Sequence, residues 1–300
     1  MDTDDEGWQE KHDQLLADMK PKGQPLIYHY ASVEAARSIL STRRLWLSSA
    51  AAMNDLAEGT WLEHLLHGHE RQRGSAGFTR TPDENRLLQR LYEIAFRRQA
   101  PMAYMACFSE HGDLLSQWRG YADDGRGVAI CFNPNGDHLG LINAIPHTNA
   151  GPALTCTLSQ VEYADDGYAA AISSSIDQAI SLGEASPEYI ATSALLAGKR
   201  WVIKNPAFLE EKEWRIVNLP IRFASSSPEM PNAISAIGEL GFRSSSGHLI
   251  SYYSHPFDPL AVEAIVLGPK NTIDMRELAL FNDAYGLNHV QIRRSAATYR

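Results

Sequence analysis

Short apolar runs bounded by turn residues, set between amphipathic stretches at irregular spacing, limit this chain to a mixed fold. "PLIYHY", "RLWLSS", "AYMACFS", "VAICF", "EKEWRIVNL", "HLISYYSH" and "VEAIVLG" are rich in branched and aromatic residues and read as strands. "DENRLLQRLYEIAFRRQ" keeps Leu87, Leu91, Ile94 and Ala95 at helical spacing. "VEAARSIL" follows Ser32, which suits an N-cap. "GYAAAISSSIDQAISL" and "SPEYIATSALLAGKRWVIK" read as helices, and "RSSSG" reads as a loop. In "DDGRG", Gly125 and Gly127 can take the positive φ of a tight turn. The long gaps and hairpin-like pairs do not fit a regular βαβ succession. The expected fold class is α+β. Residues 24–300 would form a single mixed domain with a split, twisted β-sheet core. Helical insertions fall near 60–100 and 167–204, and a polar segment, 1–23, precedes the domain with one short helix from Trp8 to Met19.

Hydrophobic residues make up 44% of the 300, enough for a sizeable core. The net charge of −9 gives no electrostatic footprint for bulk nucleic-acid binding. Cys107, Cys131 and Cys156 form no CxxC pair, so they read as free thiols in a reducing compartment rather than zinc ligands. "HLLHGHE" clusters His64, His67 and His69, but no third ligand is placed by spacing, and no metal is expected. The acidic N-terminus lacks the apolar region of a signal peptide, and no apolar run reaches membrane-spanning length. A cytoplasmic location without membrane partners is the expectation.

"LEEKEWRIV", Leu209 to Val217, puts carboxylates at the mouth of an apolar strand. Side chains alternate along a strand, so Glu211, Glu213, Arg215 and Val217 would share one face and Lys212, Trp214 and Ile216 the other. The plain reading is a solvated edge strand with a surface Glu213–Arg215 pair, which contributes only about 0–1 kcal/mol. The functional reading is a carboxylate presented over a cleft, where it orients a sugar hydroxyl or steadies a developing cation.

Taken together, "LIYHYASVEAARSILSTRRLWLSS", "MNDLAE", "CFSEHGDLLSQWRGYADDGRGVAICF", "EKEWRIV", "IVLGPK" and "SAATYR" form an ordered set. It resembles the bacterial domain-of-unknown-function family numbered 2971, over Leu26 to Arg300. The family's "NDPFE"-like segment stands here as Asn54-Asp55-Leu56-Ala57-Glu58, with the Pro and Phe positions changed. A looser resemblance is to the ADP-ribosyltransferase fold, including its toxin-like branch that modifies nucleic acids. It rests on a first-strand His, the "RLWLS" strand, a central aromatic and a late strand opening on Glu-x-Glu.

That second resemblance implies an enzyme that cleaves the nicotinamide–ribose bond of NAD as co-substrate, in a toxin, stress or phage-defence setting. The acceptor would be a protein or a nucleic acid. It implies that His29 holds the adenosine end, that Tyr121 or Tyr30 stacks on nicotinamide, and that Glu213 steadies the cationic transition state. Arg215 would bind a phosphate or hold Glu213. Asn54 and Asp55 would shape the site, although Asp55 and Glu58 also read as a helix capping box. Two other readings stand beside it. One is a non-catalytic nucleotide-binding or protein-interaction module on the same fold. The other is a metal-dependent hydrolase built on Asn54, Asp55, Glu58, Glu211 and Glu213, since hard cations need converging oxygens. Trp118 and Tyr121 lie three apart on one helix; Trp118 reads as core.

Overall fold

Ser32 ends the first strand and starts the first helix, its side chain accepting the backbone N–H of Ala35. The computed structural model describes residues 23–53, 59–96, 103–145, 154–222, 233–234, 237, 240–245 and 247–299. The Trp8–Met19 helix, Asn54, Asp55 and Glu58 lie outside the described residues. The elements run β1 (Ile27–Ala31), α1 (Val33–Thr42), β2 (Arg44–Ser49), α2 (Trp61–Ser75), α3 (Pro82–Phe96), β3 (Tyr104–Ser109), α4 (Leu115–Tyr121) and β4 (Val128–Phe132). Next come β5 (Ile142–Ile145), β6 (Leu154–Gln160), β7 (Glu162–Tyr163), α5 (Asp166–Leu182), α6 (Pro187–Lys199), β8 (Ile203–Lys204) and β9 (Glu213–Asn218). Then follow β10 (Ile221–Arg222), β11 (Ala233–Ile234), β12 (Leu240–Ser245), β13 (His248–Pro256), β14 (Val262–Leu267), α7 (Met275–Ala284) and β15 (Gln291–Arg294). The fold is mixed α+β, as expected.

The chain divides into two compact units. The first is assembled from residues 1–44, 110–140 and 256–300. Its strands lie in the order β1-β4-β14-β15. The first two pairings are antiparallel and β14–β15 is parallel, with α7 in the crossover. Tyr30, Trp118, Ala122, Ala129 and Val266 pack into one apolar cluster of this unit. Trp118 is fully buried, as the sequence predicts. Gly125 does take positive φ, 83°. Gly127 does not, and its role is different: a Cβ there would stand 2.1 Å from the Ala31 carbonyl oxygen. The left-handed positions next to Gly125 are filled by Asp123 and Asp124, at φ 48° and 54°.

The second unit comprises residues 45–109 and 141–255. Its strands run β12-β13-β2-β3-β9-β6-β5, so β9 is central, antiparallel to β3 and to β6. The two helical segments expected near 60–100 and 167–204 pack on each other here. Leu62, Leu66, Leu91, Ala95, Ile176 and Leu196 share one core.

Two expectations are corrected. Helix α6 stops at Lys199 rather than running on through "RWVIK". Trp201 and Val202 turn back with N–H bonds to Gly198 and Lys199, and Ile203–Lys204 pair with Glu162–Tyr163. The stretch "RSSSG" is not a loop up to Ser245, because Leu240–Ser245 pairs along β13. Its Gly/Ser composition hides a strand in which the ring of Tyr252 lies against Gly241, where a Cβ would stand 2.8 Å from it.

Candidate functional site: a buried ion network at the start of a central strand

Glu213 opens β9, and the chain reaches it through a sharp reversal. Asn205 caps a 3-10 turn over Pro206–Glu211, and Lys212 follows in the left-handed region at φ 44°. Tyr163 then receives the backbone N–H of Glu213 on its hydroxyl, at 2.9 Å. β9 is paired along both edges, and both of its faces are buried as well. Glu213 is 5% exposed and Arg215 0%, on one face, and Trp214 and Ile216 are buried on the other. The plain reading of a solvated edge strand with a surface ion pair is therefore overturned.

Arg215 grips the Glu213 carboxylate with two parallel bonds, Nε to Oε1 at 2.7 Å and Nη2 to Oε2 at 3.0 Å. Its third nitrogen donates to the Trp201 carbonyl at 2.7 Å. Lys204 supplies the second cation, with Nζ 3.0 Å from Glu213 Oε2 and 2.6 Å from Glu211 Oε2. It also stands 4.5 Å from the centre of the Phe208 ring. Glu211 is thus brought to Glu213 by a shared lysine. Strand alternation does not do it, since Glu211 sits in the turn before the strand. Ser109 donates to the Glu211 carbonyl at 2.7 Å and so fixes that turn.

Burial pushes the Glu213 carboxyl up, but the charge and hydrogen bonds of Arg215, with Lys204 and the Cys107 thiol, outweigh it and hold it at about 2. The Glu211 carboxyl is raised, because its burial outweighs the attraction of Lys204. Burial lowers the Lys204 ammonium, yet Glu213 and Glu211 reverse this and raise it. The result is a carboxylate that stays ionised at neutral pH in a dry setting. Glu211 and Glu213 already share the Lys204 ammonium at the place where a metal ion would need their oxygens.

The Trp201 turn connects this network to the segment that holds Asn54 and Asp55. Met53 packs with Trp201 and Cys107 in one apolar cluster. At the other end, Gly59 lies flat on the Trp201 ring, where a Cβ would come within 2.4 Å. Its carbonyl accepts from Arg200 Nε at 2.9 Å. Both anchors of that segment therefore meet the turn whose carbonyl receives Arg215.

His29, Tyr30 and Tyr121 belong to the first unit. Neighbouring residues of a strand face opposite ways, so β1 does not turn His29 and Tyr30 to one side. Tyr30 is committed to the fold. Its hydroxyl donates to the His111 carbonyl at 2.7 Å and accepts the Leu114 N–H at 3.0 Å. Its ring meets Trp118 edge-on at 4.7 Å. Tyr121 ends α4 and is 42% exposed. The C-terminal "SAATY" is tied down beside them. Asp113 accepts from the Trp118 indole and from the Ala296 N–H, both at 2.7 Å. Asp124 bonds Lys270 and the Tyr299 hydroxyl, also at 2.7 Å each.

Lys204 is the residue that sequence reasoning missed. It read as the end of a helix, and the one available signal was a lone lysine closing the apolar run "WVI" just before Asn-Pro. Among the described residues no helix is long and apolar enough to cross a membrane. Cys107, Cys131 and Cys156 are free thiols, the last two buried. No curated protein and no solved structure matches the chain. The matched family segment is narrower than the Leu26–Arg300 span of the motifs; it opens on α4, closes inside β9, and takes in Tyr121, Lys204, Glu211, Glu213 and Arg215. Residues 117–216 match the model of the family described as Protein of unknown function (DUF2971).

Proposed function

We propose that the protein is an ADP-ribosyltransferase-like enzyme that consumes NAD, with Glu213 as the carboxylate beside the reacting ribose. The observation that supports it is the Glu213 carboxylate, 5% exposed, gripped by Arg215 and Lys204 at the first position of a central strand. Cleaving the nicotinamide–ribose bond sends the bonding electrons to the ring nitrogen and leaves a cationic ribosyl carbon. Nicotinamide departs neutral, so the step needs little acid catalysis. It needs positioning and a fixed negative charge near the sugar. The acceptor nucleophile then bonds that carbon and loses its proton.

The two bonds at Glu213 Oε2, from Arg215 and Lys204, are both 3.0 Å, longer than the 2.7 Å bond at Oε1, so Oε2 is the oxygen that a ribose hydroxyl would share. Arg215 keeps the carboxylate from rotating. Tyr30 is committed to the fold through both bonds of its hydroxyl.

One observation favours a second reading. Both Glu213 oxygens are already bonded within the chain, which suits a nucleotide-binding module without turnover. The deciding experiment is nicotinamide release from NAD by the wild type, Glu213→Gln and Glu213→Asp, with circular dichroism to confirm folding. The enzyme reading expects release by the wild type and a loss of about 10²–10³ in the folded Gln variant. A folded Glu213→Gln protein with undiminished release would falsify the assignment. Stabilisation of the wild type by NAD without any release would instead establish the binding module. At 100 times the dissociation constant that gain is about 2.7 kcal/mol.

A further inference from the structure

Arg200, in the second unit, is buried at 7% exposed and stands outside the ion network. Within that network the carboxylates of Glu211 and Glu213 answer the cations Lys204 and Arg215. Arg200 is not answered: among the described residues no carboxylate comes within 4.0 Å of its guanidinium. Its Nε donates to the Gly59 carbonyl at 2.9 Å and its Nη1 to the Ala95 carbonyl at 3.3 Å. Those oxygens are neutral, so they fix the guanidinium in place and leave its charge uncompensated. Buried charges are normally paired, because taking them out of water is costly. Burial lowers the Arg200 guanidinium, and Glu63 is the one described carboxylate that pulls it back. Glu63 itself is turned to His67, at 3.8 Å.

A second observation concerns access. The third nitrogen of Arg200, Nη2, bonds to none of the described residues, yet it is not sealed in and keeps surface open to a small molecule. The surroundings hold it still. The guanidinium carbon stands 4.6 Å from the centre of the Trp201 ring and 5.7 Å from that of Phe96, and both rings are buried. A fixed cation with two nitrogens committed and the third open is set for an anion that arrives from outside.

We infer that Arg200 is the docking point of a phosphate group, which accepts from Nη2 and supplies the missing negative charge. A carboxylate is held best by two parallel bonds from the guanidinium fork, and here two of its three nitrogens already serve carbonyls. A single phosphate oxygen can be met by the nitrogen that is left. Free phosphate and the diphosphate of a dinucleotide offer the same chemistry. The turn after Arg200 also receives Arg215 on the Trp201 carbonyl, so the site adjoins the Glu213 network. It does not rest on the NAD reading, since phosphate can bind here whether or not nicotinamide is released.

The test is calorimetric titration of the full chain with sodium phosphate, with ADP-ribose and with ribose, each in sodium chloride at matched ionic strength. Saturable one-to-one binding of the phosphate-bearing ligands is expected, and none of ribose. ADP-ribose binding more tightly than phosphate supports a dinucleotide as the source; an affinity no better than that of phosphate supports the free ion. Arg200→Lys keeps the charge but not the fork that Gly59 and Ala95 hold, and weakens binding about tenfold. Circular dichroism confirms that this variant is folded. Phosphate also raises the melting temperature of the wild type, and the folded variant loses that rise, which an arginine with a purely structural role would not cause. Arg71→Gln, at an exposed position on α2, keeps the affinity of the wild type. Absence of saturable heat from both phosphate-bearing ligands in the wild type, unchanged affinity in folded Arg200→Lys, or an equal loss in Arg71→Gln would each overturn the proposal.

Discussion

Glu213 carries an acid-sensitive part of the stability. In the unfolded chain its carboxyl titrates near the ordinary glutamate value of 4.5; in the fold it is held at about 2. The unfolded state thus binds the proton first as the pH falls. The stability from this group is complete above the unfolded value and is lost between about 4.5 and 2. Glu211 acts in the opposite sense. Its folded value is raised, so its contribution is present below the unfolded value and lost as the pH rises through the folded one. Urea midpoints of the wild type and Glu213→Gln, measured from pH 6 down to 2, separate the two. At pH 6 the variant is expected to be less stable by about 3–5 kcal/mol, since Arg215 and Lys204 lose part of their counter-charge. That difference shrinks steadily below the unfolded glutamate value. A difference that stays constant to pH 2 would remove the ionised network from the account. The Glu213–Arg215 pairing was legible from the period of two. Lys204 was not, because it reaches the pair through a turn, a short parallel bridge and a 3-10 turn rather than through any periodic pattern.

Elements were legible where local chemistry and packing agree. β2 and β4 lie where branched and aromatic runs predict them, and Ser32 caps α1 through its own side chain. The end of α6 was not legible. "RWVIK" is compatible with helix, but Arg200 and Trp201 are drawn out of it by tertiary contacts, to the Gly59 carbonyl and to the Gly59 backbone face. The glycines of "DDGRG" show the same limit. Composition marks a turn, but only the pairing of β1 with β4 shows that Gly127 is needed for closeness. Its N–H donates to the Ala122 carbonyl at 2.8 Å, and its carbonyl accepts from Gly268 at 3.1 Å. Gly127→Ala would drive a methyl into the Ala31 carbonyl, so the ends of β1 and β4 must separate. Such overpacking costs about 1–3 kcal/mol. Hydrogen exchange at Ala31 and Val128 is expected to speed up in the variant, while the amides of α5 and α6 in the other unit keep their protection. Equal acceleration at all four places would show that the methyl acts globally and not at this junction.

At the scale of the whole chain the two units are threaded alternately, with crossings near residues 44, 109, 140 and 255. No linker composition marks them, and one falls at the start of β2, inside an apolar run. The single mixed domain expected over 24–300 takes in parts of both units. Alternate threading means that neither unit exists in one continuous piece. A cut at 140 leaves β4 without its β14 partner, since β14 lies in the C-terminal fragment. It also strips Leu62, Leu66 and Leu91 of their α5 and α6 partners Ile176, Ile180 and Leu196. Each half would then expose a face of a core that only the other half completes, and burial is what offsets the entropy of folding. Fragments 1–140 and 141–300 made separately are expected to show no cooperative thermal transition by circular dichroism. The same fragments made together should recover one, because all the pairings within each unit become available again. A cooperative transition in 141–300 alone would mean that β6, β9 and their helices fold without β3. The folding unit would then be smaller than the compact unit to which they belong.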